Sequence, residues 1–391
     1  MMKKDAYLVY SEEYHAYQFN EKHPFNPIRS QLVYELLTSS NLLNDADIIP
    51  PRLATDDELL LFHDLQFIEQ VKKASREPVS ANIAEQFGLG TDDTPIFKNM
   101  HEASSLIVGG TLTAVDAVLE GKSNHAFNLG GGLHHGFKRK ASGFCIYNDC
   151  AIAIKYIQQK YGLKVLYIDT DAHHGDGVQW AFYDDPTVCT LSIHETGRYL
   201  FPGTGAVTER GQGKGFGYSF NIPIDAFTED ESFLLSYKKA INDIAQYFKP
   251  DVILTQNGSD SHCYDPLTHL CTTMKTFEEI PKIAHEIAHK YCDGKWIAVA
   301  GGGYDYWRVV PRAWSQVWLA MTNQQPTSNL LPDSWLEKWQ KIANVKLPIT
   351  WTDNPSIVKP IPRKKEIEEY NEQVLYRALE PLHIQQKKPF I

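Results

Sequence analysis

Apolar, β-rich runs that alternate with helix-length stretches predict an α/β fold, a mostly parallel sheet covered on both faces by helices. Six runs read as strands: His125 to Leu129, Lys164 to Asp169, Val188 to Ile193, Tyr218 to Ile222, Asp251 to Thr255 and Trp296 to Ala300. Between several of them lie helical patterns, at His101 to Leu119, Ala151 to Lys160, Glu231 to Phe248 and Phe277 to Tyr291. The third observation is where the polar and Gly-rich clusters fall. GGGLHHG follows the first run, DTDAHHGD ends the second and HETGRYLFPGTG follows the third; QNGSD ends the fifth and AGGGYDYW follows the sixth. Ligands of open α/β sheets bind beyond the carboxyl ends of the strands. Clusters at five such ends are therefore expected to converge on one site.

The flanking segments differ in character. The N-terminal hundred residues read as a helical elaboration of the same domain, with helical patterns at Ser30 to Leu37 and Asp56 to Lys72 punctuated by Pro24, Pro27, Pro50 and Pro51. From about Pro326 prolines recur, Trp335 and Trp339 stand one helical turn apart, and Ile367, Tyr370 and Val374 mark a late amphipathic helix. The expected division is a main domain over 1–325 and an extension over 326–391, packed on that domain or on a partner.

Composition bounds the function. With 391 residues, 43% of them hydrophobic, the chain can bury a large core. Apolar stretches are under about ten residues, too short for a bilayer span. The start, MMKKDAYLVYSEEY, has neither the apolar core nor the cleavage site of a signal peptide. A cytoplasmic protein with no membrane partner is expected. The six cysteines are scattered and form no CxxC pair, the pattern of buried thiols in a reducing compartment. A formal net charge of −10 argues against nucleic acid as a partner, and Lys138-Arg139-Lys140 reads as a solvated loop.

The chemistry is concentrated in the clusters. Alternate residues of an extended strand end share a side, so Asp169, Asp171 and His173 should face one way. Three ionisable groups at the buried end of an apolar strand need a cation or hydrogen-bond partners. Asp260, in QNGSD one βα unit further on, supplies a second carboxylate. Two carboxylates and one imidazole with open positions suit a catalytic Zn²⁺ or Fe²⁺. His134 and His135, after Gly130-Gly131-Gly132, are candidate proton carriers beside an activated water, with Asp169 and Asp176 as orienting carboxylates. Tyr304, after Gly301-Gly302-Gly303, is placed to donate to a developing oxyanion, and Phe144 and Phe201 to wall a narrow apolar channel.

Assembled in order, GGGLHHG, GFCIYND, VLYIDTDAHHGDGVQ, FPGTG, QNGSD and GGGYDYW resemble the histone deacetylase family, in particular its class I-like bacterial acetoin-utilisation deacetylases, from about Ala6 to Ala320. HPFNPIR and FHDLQFI near the start add to the likeness. The resemblance implies a three-layer arginase/deacetylase-like fold with an eight-stranded parallel sheet, and a deacetylase domain over 1–325. It implies metal-dependent hydrolysis of N6-acetyl-lysine in proteins, a metabolic enzyme such as an acetyl-CoA synthetase being the expected target. Zinc, or ferrous iron, would be held by Asp171, His173 and Asp260. The histidine pair is His134 and His135, backed by Asp169 and Asp176 respectively, and Tyr304 is the transition-state tyrosine. Phe144 and Phe201, with Gly143, are implied as the acyl-lysine tunnel. Asp92, in GLGTDD, falls near the family's rim aspartate, although the loop here is shorter. The main chain around Asp169 to His173, with Ser192, matches a structural K⁺ site. Arg29 matches an arginine of an internal channel linked to acetate release.

Three other readings fit less well. A two-manganese ureohydrolase of the same fold needs a carboxylate two residues past His173 and another two past Asp260; the chain has Gly175 and His262 there. An acetylpolyamine or other small-molecule amidohydrolase would share the machinery and differ at the rim. A catalytically dead acetyl-lysine reader should have lost a ligand, the histidine pair or the tyrosine, and all are present.

Overall fold

A computed structural model of the chain describes residues 4–382; residues 1–3 and the end of the extension, 383–391, lie outside the described residues. The strands are β1 (Lys4–Val9), β2 (Ile48–Ile49), β3 (Ser123–Asn128), β4 (Val165–Asp169), β5 (Val188–Glu195), β6 (Ser219–Ile224), β7 (Val252–Gln256) and β8 (Trp296–Val299). They form one eight-stranded sheet in the order β2-β1-β3-β8-β7-β4-β5-β6. Each of its pairings is parallel. Every residue of β4 to β8 is buried, as continuous apolar runs in a helix-covered parallel sheet require. The six predicted strands are β3 to β8, each within two residues at either end.

The N-terminal hundred residues are not helical throughout. They supply β1 and β2, which extend the sheet beyond β3. β1 becomes a strand by pairing with β3 more than a hundred residues away, Ala6 opposite His125 and Val9 opposite Asn128. No local pattern in the segment announces that pairing.

Helices Met100–Leu119, Asp149–Tyr161, Asp230–Phe248, Met274–Tyr291 and Val310–Thr322 connect and cover the strands. The second begins where the Asn148 side chain accepts from the Ala151 amide at 2.8 Å and stops at Gly162 in the left-handed region, φ +65°. Helix Met100–Leu119 is, contrary to the sequence expectation, long and apolar enough to cross a bilayer, yet 78% of its apolar window is buried in the fold. Its Ser104, Ser105 and Thr111 interrupt the apolar run in sequence but are buried with it.

The extension joins the main core. Trp335 and Trp339, on helix Asp333–Trp339, are buried and donate to the Leu32 carbonyl at 3.2 Å and to Glu35 at 3.1 Å. Helix Lys364–Ala378 packs on the edge strand β6, where Asn371 accepts from the Asp225 amide at 2.9 Å. Asp353 of the extension is bound by the main domain. Its carboxylate pairs with His262 Nε2 and Arg312 Nη1, each at 2.8 Å, and accepts from the Met274 amide at 2.8 Å. Burial alone would raise Asp353, but His262 and Arg312 outweigh it and hold the carboxyl well below its usual range. Asp353→Asn leaves the buried Arg312 guanidinium unpaired and is expected to cost about 3–5 kcal/mol of stability at pH 7. A carboxylate depressed by folding adds stability above its unfolded pKa and loses it in acid. The gap in urea midpoint between wild type and variant should therefore narrow as the pH falls below about 4.

Candidate active site

The five predicted clusters leave β3, β8, β7, β4 and β5, which are five consecutive strands of the sheet. β6, the one predicted strand without a cluster, lies at the edge. Adjacency along the hydrogen-bonding direction is what brings distant segments within ångströms of one another.

β4 and β7 are neighbours with Asp169 opposite Gln256, so the segments beyond them run side by side. His173 Nδ1 lies 3.0 Å from Asp171 Oδ1 and 3.0 Å from Asp260 Oδ2. All three side chains are buried, the two carboxylates almost completely. The strand ends at Asp169, and the chain beyond it is not extended as the sequence reading assumed. Asp169 accepts from the Asp171 amide at 3.2 Å and Asp171 from the His173 amide at 3.0 Å. These i to i+2 turns, rather than strand alternation, aim the groups. Asp169 turns toward His134, while Asp171 and His173 turn toward Asp260.

The donor set fits a single divalent ion. Ligand atoms about 2.0–2.2 Å from a tetrahedral ion lie roughly 3.3 Å apart, close to the spacing seen here. Burial and the adjacent Asp171 push the Asp260 carboxyl up to about 6, because two buried anions face each other. Burial alone would lower His173, but Asp171 and Asp260 outweigh it and raise it well above the usual imidazole range, a measure of the field that would grip a cation. Gly302 and Gly258 complete the cradle: a Cβ on Gly302 would run into the Asp260 and Asp171 carboxylates, and one on Gly258 into Asp171. Gly302→Ala is accordingly expected to weaken metal binding on the order of 10²-fold, read as metal retained after dialysis.

Two imidazoles face this cluster. His134 Nδ1 is 2.8 Å from Asp169 Oδ2, and His135 Nδ1 is 2.6 Å from Asp176 Oδ1, which turns both Nε2 atoms toward the site. Their environments differ. Burial acts to lower His134, but Asp169 and Asp171 overcome it and raise it to about 9. Burial and the neighbouring His134 lower His135 to about 4 against the pull of Asp176.

The opening above is walled by aromatics. The Phe201 ring lies 5.0 Å from His135, edge to face, and the Phe144 ring 5.7 Å from Tyr304. Gly143 lies against both His135 and Phe201, where a Cβ would come within 2.5 Å of the imidazole and 2.9 Å of the phenyl ring. Phe144 holds a left-handed φ of +66° with its carbonyl anchored by the Tyr17 hydroxyl at 2.7 Å. Tyr304, its amide held by Asp265 at 2.8 Å, shares a cavity of about 20 Å³ with His134, His135 and Asp171, room for about one water. A second cavity of the same size lies beside Arg29, whose guanidinium donates to the Gly301 and Gly303 carbonyls at 3.0 and 3.1 Å. Asp92 is exposed on a loop tied toward the opening: His23, 4.5 Å from the Phe144 ring, contacts the Asp93 carbonyl. Ser192 lies opposite Asp169 across the sheet.

Three site-building residues escaped the sequence reading. Gln256 donates to Asp171 Oδ2 at 2.7 Å and accepts from the Gly258 amide. Tyr167 donates to Asp169 at 2.6 Å. Asp149 accepts from the Gly132 and Leu133 amides and so sets the glycine turn before the histidine pair. Gln256 stood inside QNGSD, where a polar residue ending an apolar strand was the available signal. Of the second-metal positions of a ureohydrolase, Gly175 has no side chain to coordinate, and His262 is engaged by Asp353.

Comparison with known proteins agrees with this architecture. The histone deacetylase domain pattern matches residues 23–321. The chain is 58% identical over 385 residues to the acetoin utilization protein AcuC of Bacillus subtilis (strain 168), covering 98% of this chain and 99% of that one. It is 49% identical to the AcuC of Staphylococcus xylosus, over 95% of this chain and 96% of that one. Among solved structures, an HDAC homologue from Aquifex aeolicus superposes with a TM-score of 0.84 at 32% identity, over 95% of this chain and all of that one. An HDAC homologue complexed with SAHA gives 0.86 at 32% identity and the same coverage.

Proposed function

The chain belongs to the histone deacetylase family, a family of metal-dependent hydrolases, and we propose that it removes acetyl groups from N6-acetyl-lysine side chains of proteins. The observation that carries the reading is the buried Asp171–His173–Asp260 cluster facing two carboxylate-backed imidazoles below an opening walled by Phe144 and Phe201. A narrow aromatic passage suits an aliphatic lysine stem, with the acetamide at its foot.

Asp171, His173 and Asp260 would hold Zn²⁺, or Fe²⁺, whose Lewis acidity polarises the acetamide carbonyl and acidifies water. The protein's own groups do the rest. His135, neutral and oriented by Asp176, accepts the proton of the attacking water at Nε2. The Tyr304 hydroxyl donates to the carbonyl oxygen as it becomes an oxyanion. His134, held in the more basic state by Asp169 and Asp171, stabilises the developing charge. The carbon–nitrogen bond then breaks as the lysine nitrogen takes a proton from the imidazole pair, and with the second proton of the attacking water passing to the nitrogen the products are acetate and the protonated lysine amine. Asp92 would bind the substrate backbone at the rim. A structural K⁺ near Asp169 and Ser192 and an acetate path past Arg29 belong to the same proposal.

The relatives' shared name, acetoin utilization, supports a metabolic role. The proposed substrate is an acetylated cytoplasmic enzyme such as an acetyl-CoA synthetase. Purified protein of known metal content, assayed on acetyl-lysine peptides and on acetylspermidine, tests this. The peptides should be cleaved with the higher kcat/KM. A preference for acetylspermidine would replace the reading with a small-molecule amidohydrolase.

A further inference from the structure

Three histidines meet near the amino-terminal end of the sheet, away from the catalytic clusters at its carboxyl end. His125 is buried in β3, beside Trp296 of β8. His285 and His289 stand four residues apart near the end of helix Met274–Tyr291, on the face that meets β3. His289 Nε2 lies 3.3 Å from His125 Nε2 and 2.9 Å from His285 Nε2, and one nitrogen from each of the three rings falls within 4.8 Å of the others.

We propose that His125, His285 and His289 form a second metal site, structural rather than catalytic, that takes Zn²⁺ through three imidazole nitrogens and ties the end of the helix to β3. The geometry carries this. Nitrogens at about 2.0–2.1 Å from a tetrahedral zinc lie roughly 3.3 Å apart, and the two spacings at His289 Nε2, 3.3 and 2.9 Å, lie within a few tenths of an ångström of that value. A helical pair one turn apart plus a third imidazole from another element is a chelating arrangement whose backbone is already fixed by the fold. An all-nitrogen set selects zinc, copper or nickel over magnesium and calcium, which prefer oxygen.

Access and fit support the same conclusion. His125 is buried, His285 half-buried and His289 exposed, so the site opens to solvent on one side and leaves a fourth position for water. A cavity of about 290 Å³ lined by Glu278, Lys282 and Glu286 borders the cluster at His285. Gly294, at φ +80°, lies so close to the His289 ring that a Cβ there would sit 3.0 Å from its Cε1. The turn after the helix thus leaves room for this imidazole and little more.

The test is metal stoichiometry on the full, untagged chain, stripped with chelator and titrated with Zn²⁺ and with Co²⁺ as a spectroscopic probe. Wild type should bind two equivalents, and His285→Gln or His289→Gln one. Asp260→Ala should keep the three-histidine equivalent, and Zn²⁺ should raise its Tm but not that of Asp260→Ala/His289→Gln. His289 is exposed and His285 only half-buried, so these variants should fold, and their turnover on acetyl-lysine peptide should stay within about twofold of wild type. One equivalent in wild type, or two in both histidine variants, would overturn the proposal whatever the deacetylase assay shows.

Discussion

Asp260→Ala is expected to lose one equivalent of metal and more than about 10³-fold in turnover. Changes to groups that merely orient metal ligands commonly lower affinity by about 10–100-fold, and this one would remove a proposed ligand outright. His173 would keep one carboxylate partner at 3.0 Å, and the Ala172 amide would lose its acceptor at 2.8 Å. The fold itself should tolerate the change. Burial and the facing Asp171 penalise the Asp260 carboxylate, so its removal relieves a repulsion in the metal-free protein. Saturating Zn²⁺ stabilises whatever site it occupies by mass action. The Tm gained on adding Zn²⁺ should therefore be smaller in the variant than in wild type. Metal analysis, turnover and melting curves on one preparation separate a missing ligand from a misfolded chain. Full metal content with lost activity would remove Asp260 from the ligand set.

Such a result would also measure how far residues alone can be read. The strands were legible because a strand buried on both faces must be apolar throughout, and the clusters because polar and Gly-rich residues at the ends of such strands have no packing role. Their convergence followed from parallel topology, since each β4-to-β8 segment and β3 ends on the same side. What resisted was whatever depends on a partner remote in sequence. β1 is a strand only beside β3, and Asp353 matters only because His262 and Arg312 lie next to it. The three-histidine cluster illustrates the limit most clearly. His285 and His289 read as part of an amphipathic helix until the fold brings His125 to 3.3 Å across more than 160 residues. Even within the legible site, the aim of Asp169, Asp171 and His173 came from turns beyond the strand, a geometry that residue alternation does not encode.

Tyr304→Phe isolates a single hydroxyl. The ring is held independently of it, edge to face with Phe144 at 5.7 Å and with His173 at 6.4 Å, while the backbone amide is fixed by Asp265. Phenylalanine should therefore occupy the same place and leave the metal cradle of Gly302, Asp171 and Asp260 intact. In the proposed mechanism the hydroxyl matters only when the carbonyl oxygen becomes an oxyanion, because a neutral donor stabilises negative charge far better than a carbonyl dipole in a buried site. Burial raises this phenol well above its usual range, with Asp260 and Asp171 adding to the effect, so it stays protonated and able to donate at any working pH. Removing one such donor costs about 10²–10³-fold in kcat, or ~2.7–4 kcal/mol. The expected signature is that loss in kcat with KM nearly unchanged and metal content at the wild-type level. An equal loss appearing in KM instead would move Tyr304 from transition-state stabilisation to ground-state binding. Undiminished turnover would leave the oxyanion to other donors, and the glycine turn that presents Tyr304 would then serve packing alone.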